Sequence, residues 1–372
     1  MSNFRFNERQ GIPIIYTGRF LSVTVLILIS GLTGCAAIGP GTVARDRFDY
    51  TTAISDSWKT QMLLNIVKIR YGDAPVFLDV ASVINQYQLT GTVNLDASWF
   101  HHPFSTSQSI GTLGAYFDRP TITYTPVIGE KFARSLMTPI PPTAILTLIQ
   151  GGYPVDHVFR ITVHSINGIR NRFGGGERLR GADPEFYPLL EKMRKIQSTG
   201  SIGMRFQQVE GKDMVFFIFR GKKDEQIEKD IADNRKILGL RADINEFRVV
   251  YGAIPTDDIE IAILSRSVLE IIVDLASTIE VPELHVAENR VNSTFIEMSA
   301  QGDPVAPLLR IRSSQEKPPD AFVSIPFHDY WFWIDDRDLP SKRMFSFLMF
   351  VFTLVEKEEK GGAPIITIPA GG

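Results

Sequence analysis

The densest gathering of side chains with binding chemistry is Trp331, Trp333, Asp335, Asp336, Arg337 and Asp338, within YWFWIDDRDLP. Closely spaced carboxylates are oxygen donors for a cation, and indole faces stack on sugar rings. The run departs from the EF-hand pattern, which needs a glycine at its sixth position and a glutamate at its twelfth. The alternative is the end of a strand. Trp331 and Trp333 then share one face and pack in the core, Arg337 pairs with a neighbouring acid, and Asp338 sits near the start of a helix opened by Pro340. A second candidate is the loop Arg172, Gly174, Gly175, Gly176 and Arg178, inside RNRFGGGERLRG. Backbone N–H groups and guanidinium forks of this kind suit an anion. No GK[ST] follows the glycines, so it is not a P-loop, and an exposed loop is the alternative.

The six histidines are His101, His102, His157, His164, His285 and His328. Adjacent His101 and His102 would point to opposite sides of a strand, which keeps them from sharing one ion. There is no HExxH, the single cysteine is Cys35, and no GxSxG elbow surrounds a serine. These residues assign no catalytic set, no metal and no cofactor, and they lean towards a protein that is not an enzyme. A formal charge of -3 argues against nucleic acid as a partner.

The elements that must position these residues fall into two styles. From Asp46 to Tyr71, Ile54, Trp58, Met62 and Ile66 recur every four residues, which predicts an amphipathic helix ended by Gly72. From Ser82 to Trp99 the period is two, and a second β-like run covers Thr112–Thr125 with a break at Asp118-Arg119-Pro120. Together they predict a long hairpin. It either covers a helix within its own domain or inserts into a membrane, several copies closing a barrel. Beyond it, Pro142–Gln150 is helical, Asp156–Asn167 reads as strand or short helix, and a helix starting at Asp183-Pro184 runs to Gln197. A boundary is expected near Ser198–Ser201. After it come a hairpin turning through a four-residue loop at Glu210–Asp213, a helix from Lys222 to Leu238 and a strand from Phe247 to Tyr251. A largely buried helix is then expected over Asp257–Ile279, with Asp257 and Glu260 as its capping pair. Strands at Leu308–Arg312, Ala321–Ile325 and Tyr330–Ile334, a helix from Ser341 to about Lys357 and a strand at Ile365–Ile368 complete the chain. The predicted class is α+β: an N-terminal helix and long β-hairpin followed by a mixed α/β body.

The start of the chain carries an address. Arg5, Arg9 and Arg19 precede an apolar run beginning at Phe20, which ends in Leu32-Thr33-Gly34-Cys35. A basic start, apolar middle and small-residue exit make a secretory signal. The tetrad resembles the lipobox of bacterial lipoproteins. The resemblance implies cleavage between Gly34 and Cys35 and fatty acylation of Cys35. Ala36 at the next position implies the outer membrane, on its periplasmic face. The alternatives are an uncleaved span, for which Phe20–Leu32 is shorter than the about 20 residues required, and a plain signal with a chance cysteine. The domains read as 1–34 signal, 35–45 tether, 46–200 helix plus long hairpin and 201–372 C-terminal α+β domain. LLNIVKIRYGDAP (Leu63–Pro75), RPTITYTP (Arg119–Pro126) and YWFWIDDRDLPSKR (Tyr330–Arg343) are similar to segments of bacterial lipoproteins, a resemblance that implies no activity.

Three functions fit: a lipid-anchored structural or assembly partner of an envelope complex, an oligomeric pore inserting the 83–125 hairpin, and a periplasmic hydrolase or carbohydrate binder using the 331–338 cluster. The expected partners are the membrane, through Cys35, and an envelope protein or further copies of the chain.

Overall fold

A helix with apolar positions every fourth residue buries one stripe, and that stripe organises the first element. In the computed structural model, helix α1 spans Pro40–Arg70, with Met62, Leu63, Ile66 and Val67 buried. The structure describes residues 40–84, 87–97, 108–118, 121–127, 134, 136–175, 179–209, 212–221, 224–299 and 302–355. Gly72 ends the helix in the left-handed region, and the Asp73 N–H returns to the Lys68 carbonyl at 2.8 Å. Buried Asn65 clamps the chain beyond the turn. Its amide donates to the Val76 carbonyl and its Oδ1 accepts from the Val76 N–H, each at 2.8 Å.

The chain divides into two units, residues 1–55 with 80–123 and residues 56–79 with 124–372. In the first lies the long hairpin. Strand β2 (Tyr87–Ala97) pairs antiparallel with β3 (Gln108–Asp118), from Tyr87 opposite Asp118 to Ala97 opposite Gln108 without a register shift. The single strand expected from Ser82 is divided: β1 (Phe77–Ile84) precedes β2 and pairs with β4 (Thr121–Val127) in a separate two-stranded sheet.

The second unit is built on a six-stranded mixed sheet. Its strands are β5 (Val163–Ile166), β6 (Ile169–Arg170), β7 (Ile202–Val209), β8 (Lys212–Phe219), β9 (Glu246–Tyr251) and β10 (Glu260–Ser265), in the order β6-β5-β10-β9-β8-β7. Strands from both sides of Ser198–Ser201 share this sheet, so no separation between sheets falls there. Helices α2 (Pro142–Gln150), α3 (Val155–Thr162) and α4 (Phe186–Ser198) pack against it, and α5 (Glu225–Leu238) packs on α4. The stretch that reads as either strand or helix is both, α3 leading directly into β5. Val209 pairs with Lys212, so the β7–β8 turn is shorter than the expected four residues.

The helix expected over Asp257–Ile279 is half strand. Glu260–Ser265 is β10, an interior strand almost wholly buried, pairing parallel with β9 and antiparallel with β5. A strand covered on both faces has no reason to alternate, so its apolar run merges with the helix that follows. That helix, α6, is Val268–Ala276, and its capping box is Ser267 with Glu270.

A short helix α7 (Glu283–Ala287) leads to a three-stranded sheet of β11 (Arg312–Ser314), β12 (Ala321–Phe327) and β13 (Tyr330–Asp335), ordered β11-β13-β12. Leu308–Ile311, expected as strand, precedes β11. The β12–β13 turn is His328-Asp329, both residues at positive φ, as a two-residue hairpin turn of the I′ type requires. Helix α8 (Leu339–Val355) lies against β13 and α6, burying Met344, Phe345, Leu348 and Val351. Among the described residues no helix is long and apolar enough to cross a membrane. The α+β class is as expected; Ile365–Ile368 lies outside the described residues.

Candidate functional site

Strand β13 sends alternate residues to opposite faces. Phe332 and Ile334 enter the core, fully buried, opposite Ile325 and Val323 of β12. Trp331 and Trp333 therefore lie on the other face, half-buried, opposite Ser314 and Arg312 of β11. The core reading of the two tryptophans is corrected by this register: the core takes the residues between and beside them. Each indole carries a cation, Lys317 Nζ at 5.3 Å from the Trp331 ring and the Arg312 guanidinium at 5.3 Å from that of Trp333.

The acids that follow are each tied within the chain. Asp335 accepts from Arg312 at 3.1 Å, Asp336 from Lys342 at 2.6 Å, and Arg337 donates to Asp320 at 2.6 Å. Asp338 caps α8 through the Ser341 N–H at 3.1 Å and the Ser341 hydroxyl at 2.8 Å. An open depression of about 430 Å³, lined by Pro319, Asp320, Ala321, Asp336 and Arg337, lies beside them. The carboxylates thus hold the junction of β13 and α8 together, Asp335 and Asp336 each paired with a cation and Asp338 bonded to Ser341.

The glycine loop also meets an anion, supplied by this chain. The Gly174 N–H donates to Asp274 Oδ1 at 2.7 Å, and Arg172 reaches both oxygens of the same carboxylate with Nε at 3.3 Å. Arg266, fully buried, donates to Asp274 Oδ2 at 3.1 Å and to the carbonyl of Ile161 at 3.3 Å, and its remaining amino group binds the Arg172 carbonyl. Burial holds the Arg266 pKa below its usual value, opposed by the Asp274 charge. A Cβ on Gly174 would stand 1.9 Å from Ser277 Oγ, and one on Gly175 would stand 2.5 Å from the Phe173 ring. Glycine is therefore needed for close approach to α6. Gly176 and Arg178 lie outside the described residues, as do Gly34 and Cys35.

Beside this triad, His164 Nε2 lies 3.1 Å from Glu270 Oε1 and its ring lies 5.4 Å from that of Phe173. The histidine bond, helped by the Ser267 N–H, lowers the Glu270 pKa to about 2 against the opposing effect of burial. Exposed His157 sits 3.7 Å from Asp156; His101 and His102 lie outside the described residues.

A third cluster is absent from the sequence-level candidates. Tyr71, just past α1, donates or accepts a hydrogen bond with His285 Nδ1 of α7 at 2.7 Å. Its ring also packs against Phe327, His328 and Phe332, while His285 stacks edge-on against Tyr330 at 5.0 Å. Burial pushes Tyr71 up to about 12, and burial with nearby Arg290 and His328 lowers His285. The next residue in, Arg70, donates to the carbonyls of Asn292 and Ser293. The segments Leu63–Pro75 and Tyr330–Arg343 therefore meet here. No spacing rule joins positions so far apart in sequence.

No group of three or more His, Cys, Asp or Glu side chains is placed to hold a metal ion among the described residues. Comparison with protein-family models, with curated proteins and with solved structures gives no match to this chain.

Proposed function

We propose that this chain is a lipid-anchored protein of the bacterial outer membrane whose periplasmic α+β body serves as a structural partner in an envelope assembly. The observation that carries the partner role is the β2–β3 ribbon. Its two eleven-residue strands pair with each other in unbroken register, and among the described residues neither pairs with a third strand. An isolated two-stranded hairpin is marginally stable in water, and each open edge presents unpaired N–H and C=O groups. Strand addition from a partner satisfies both conditions. The Leu32–Cys35 tetrad supports the anchor, and the internal bonds of the 335–338 run and of the glycine loop support a scaffold role for those residues.

Crosslinking in intact outer membranes, capture of the full lipidated chain and native mass measurement are expected to return a complex heavier than one chain. A lone monomer overturns the reading.

Carbohydrate binding is a second reading, favoured by the placement of Trp331 and Trp333 together on the half-exposed sheet face. A Trp331→Ala variant that loses retention on a glycan resin while keeping its melting temperature supports this reading. A fall in melting temperature assigns the indoles to packing instead.

A further inference from the structure

We propose that the partner is a second copy of this chain, and that the ribbons join β2 to the neighbour's β3 until they close a barrel through the outer membrane. This rests on the outer-membrane reading above.

Length is the first argument. Transmembrane β-strands take about 9–11 residues, and β2 and β3 have eleven each. At the usual tilt, such a strand covers about 28 Å, against an apolar band about 25 Å tall.

Charge is the second. Within β2 the only charged residue is Asp96, and within β3 it is Asp118; the register puts them at opposite ends of the ribbon. Water-soluble sheets guard their edges with lysine, proline or bulges. Neither strand contains a lysine or a proline, and the pairing carries no bulge. An edge without such guards is suited to receive another strand.

Pattern is the third. Positions 87, 89, 93, 95 and 97 of β2 are Tyr, Leu, Val, Leu and Ala, and positions 88, 90, 92, 94 and 96 are Gln, Thr, Thr, Asn and Asp. Set on a barrel, the first series forms the lipid-facing set of β2 and the second its lumen-facing set; by register β3 adds Tyr116, Thr112 and Ile110 to the first face and Phe117 and Leu113 to the second. Gly91 stands opposite Gly114, which places two residues without a Cβ across from each other in mid-ribbon, where barrels use glycine to curve.

Closure is the fourth. In lipid every backbone group must be paired, so an open ribbon cannot remain there alone. Copies related by a rotation axis form a head-to-tail ring, and each contributes two antiparallel strands, so the strand number is even. On the lumen face of such a ring β2 supplies the polar, mostly uncharged residues, while β3 supplies Ser109, Gly111, Leu113, Ala115 and Phe117 by register.

The test uses the full lipidated chain in outer-membrane vesicles, with single cysteines at positions 89 to 95. The probe is a membrane-impermeant maleimide. Labelling is expected at 90, 92 and 94 and protection at 89, 93 and 95. Uniform labelling of all positions overturns insertion. A paired substitution gives an independent readout. Val93→Lys is expected to abolish a multi-copy ring on native mass measurement, whereas Thr92→Lys keeps it; equal loss or equal retention overturns the proposal. If capture still returns a heavier complex containing one copy of this chain and a different protein, the ring fails while the envelope-partner reading stands.

Discussion

The phenol oxygen of Tyr71 and Nδ1 of His285 stand 2.7 Å apart, joining residues 214 positions apart in sequence. The bond ties the end of α1 to α7 on ground shared with the β12–β13 turn. His285 is 2% exposed, so water is a poor substitute for the phenol. Tyr71→Phe removes the hydroxyl and leaves a buried ring nitrogen without its partner, at about 1–3 kcal/mol. Chemical unfolding should report this as a lower midpoint with unchanged slope.

The same histidine predicts a pH effect. Burial, with Arg290 and His328 nearby, lowers its folded pKa below the ordinary 6.5. Between those two values the unfolded chain binds more protons, so the stability present above pH 6.5 is lost as pH falls through the folded pKa. Unfolding free energy measured from pH 7.5 to 5 should fall in the parent, and fall less in His285→Gln.

Helix α1 and helix α8 are legible in sequence because each buries one continuous stripe, and Gly72 and Pro340 mark their ends. The α6 boundary is not, because β10 is buried on both faces and lacks the alternation that marks a half-exposed strand. The 335–338 run is visible as a cluster of acids, but Arg312, Asp320 and Lys342, which give it its local role, come from other elements. The glycine loop shows the same limit. Its preference for an anion could be read from Arg172 and Gly174, whereas the identity of that anion, Asp274 on a helix a hundred residues later, depends on the fold.

Among the described residues, Asp274 is the one carboxylate bonded to both Arg172 and Arg266. Asp274→Asn leaves two buried guanidiniums facing a neutral amide. Removing one member of a buried ion pair costs about 3–5 kcal/mol. The expected outcome is a melting temperature lower by several degrees, or loss of folded protein, while Asp336→Asn at the exposed Lys342 pair changes stability by less than about 1 kcal/mol.

Gly174→Ala introduces a methyl 2.5 Å from the Ser277 Cβ. The clash is local, so Ser277→Gly should recover part of the loss. A double-mutant cycle on unfolding free energy should show a favourable coupling between the two changes. Strictly additive losses contradict the contact.

Glu270 offers an acid-side test. Its carboxyl titrates at 4.5 ordinarily and at about 2 when bonded to His164. The folded pKa is the lower one, so its stabilisation is present above pH 4.5 and disappears as pH falls towards 2. The side chain is 41% exposed, which limits the contribution to on the order of 1 kcal/mol. The parent should lose more stability than His164→Ala between pH 5 and 2.5; identical curves contradict the assignment.

All of the membrane chemistry proposed for this chain depends on Cys35, the only cysteine it contains. Feeding cells a clickable fatty acid and fractionating their membranes measures that dependence directly. The parent chain should carry the label and sediment with the outer membrane, and Cys35→Ser should carry none. An unlabelled parent, or a parent recovered in the cytosol, contradicts the account.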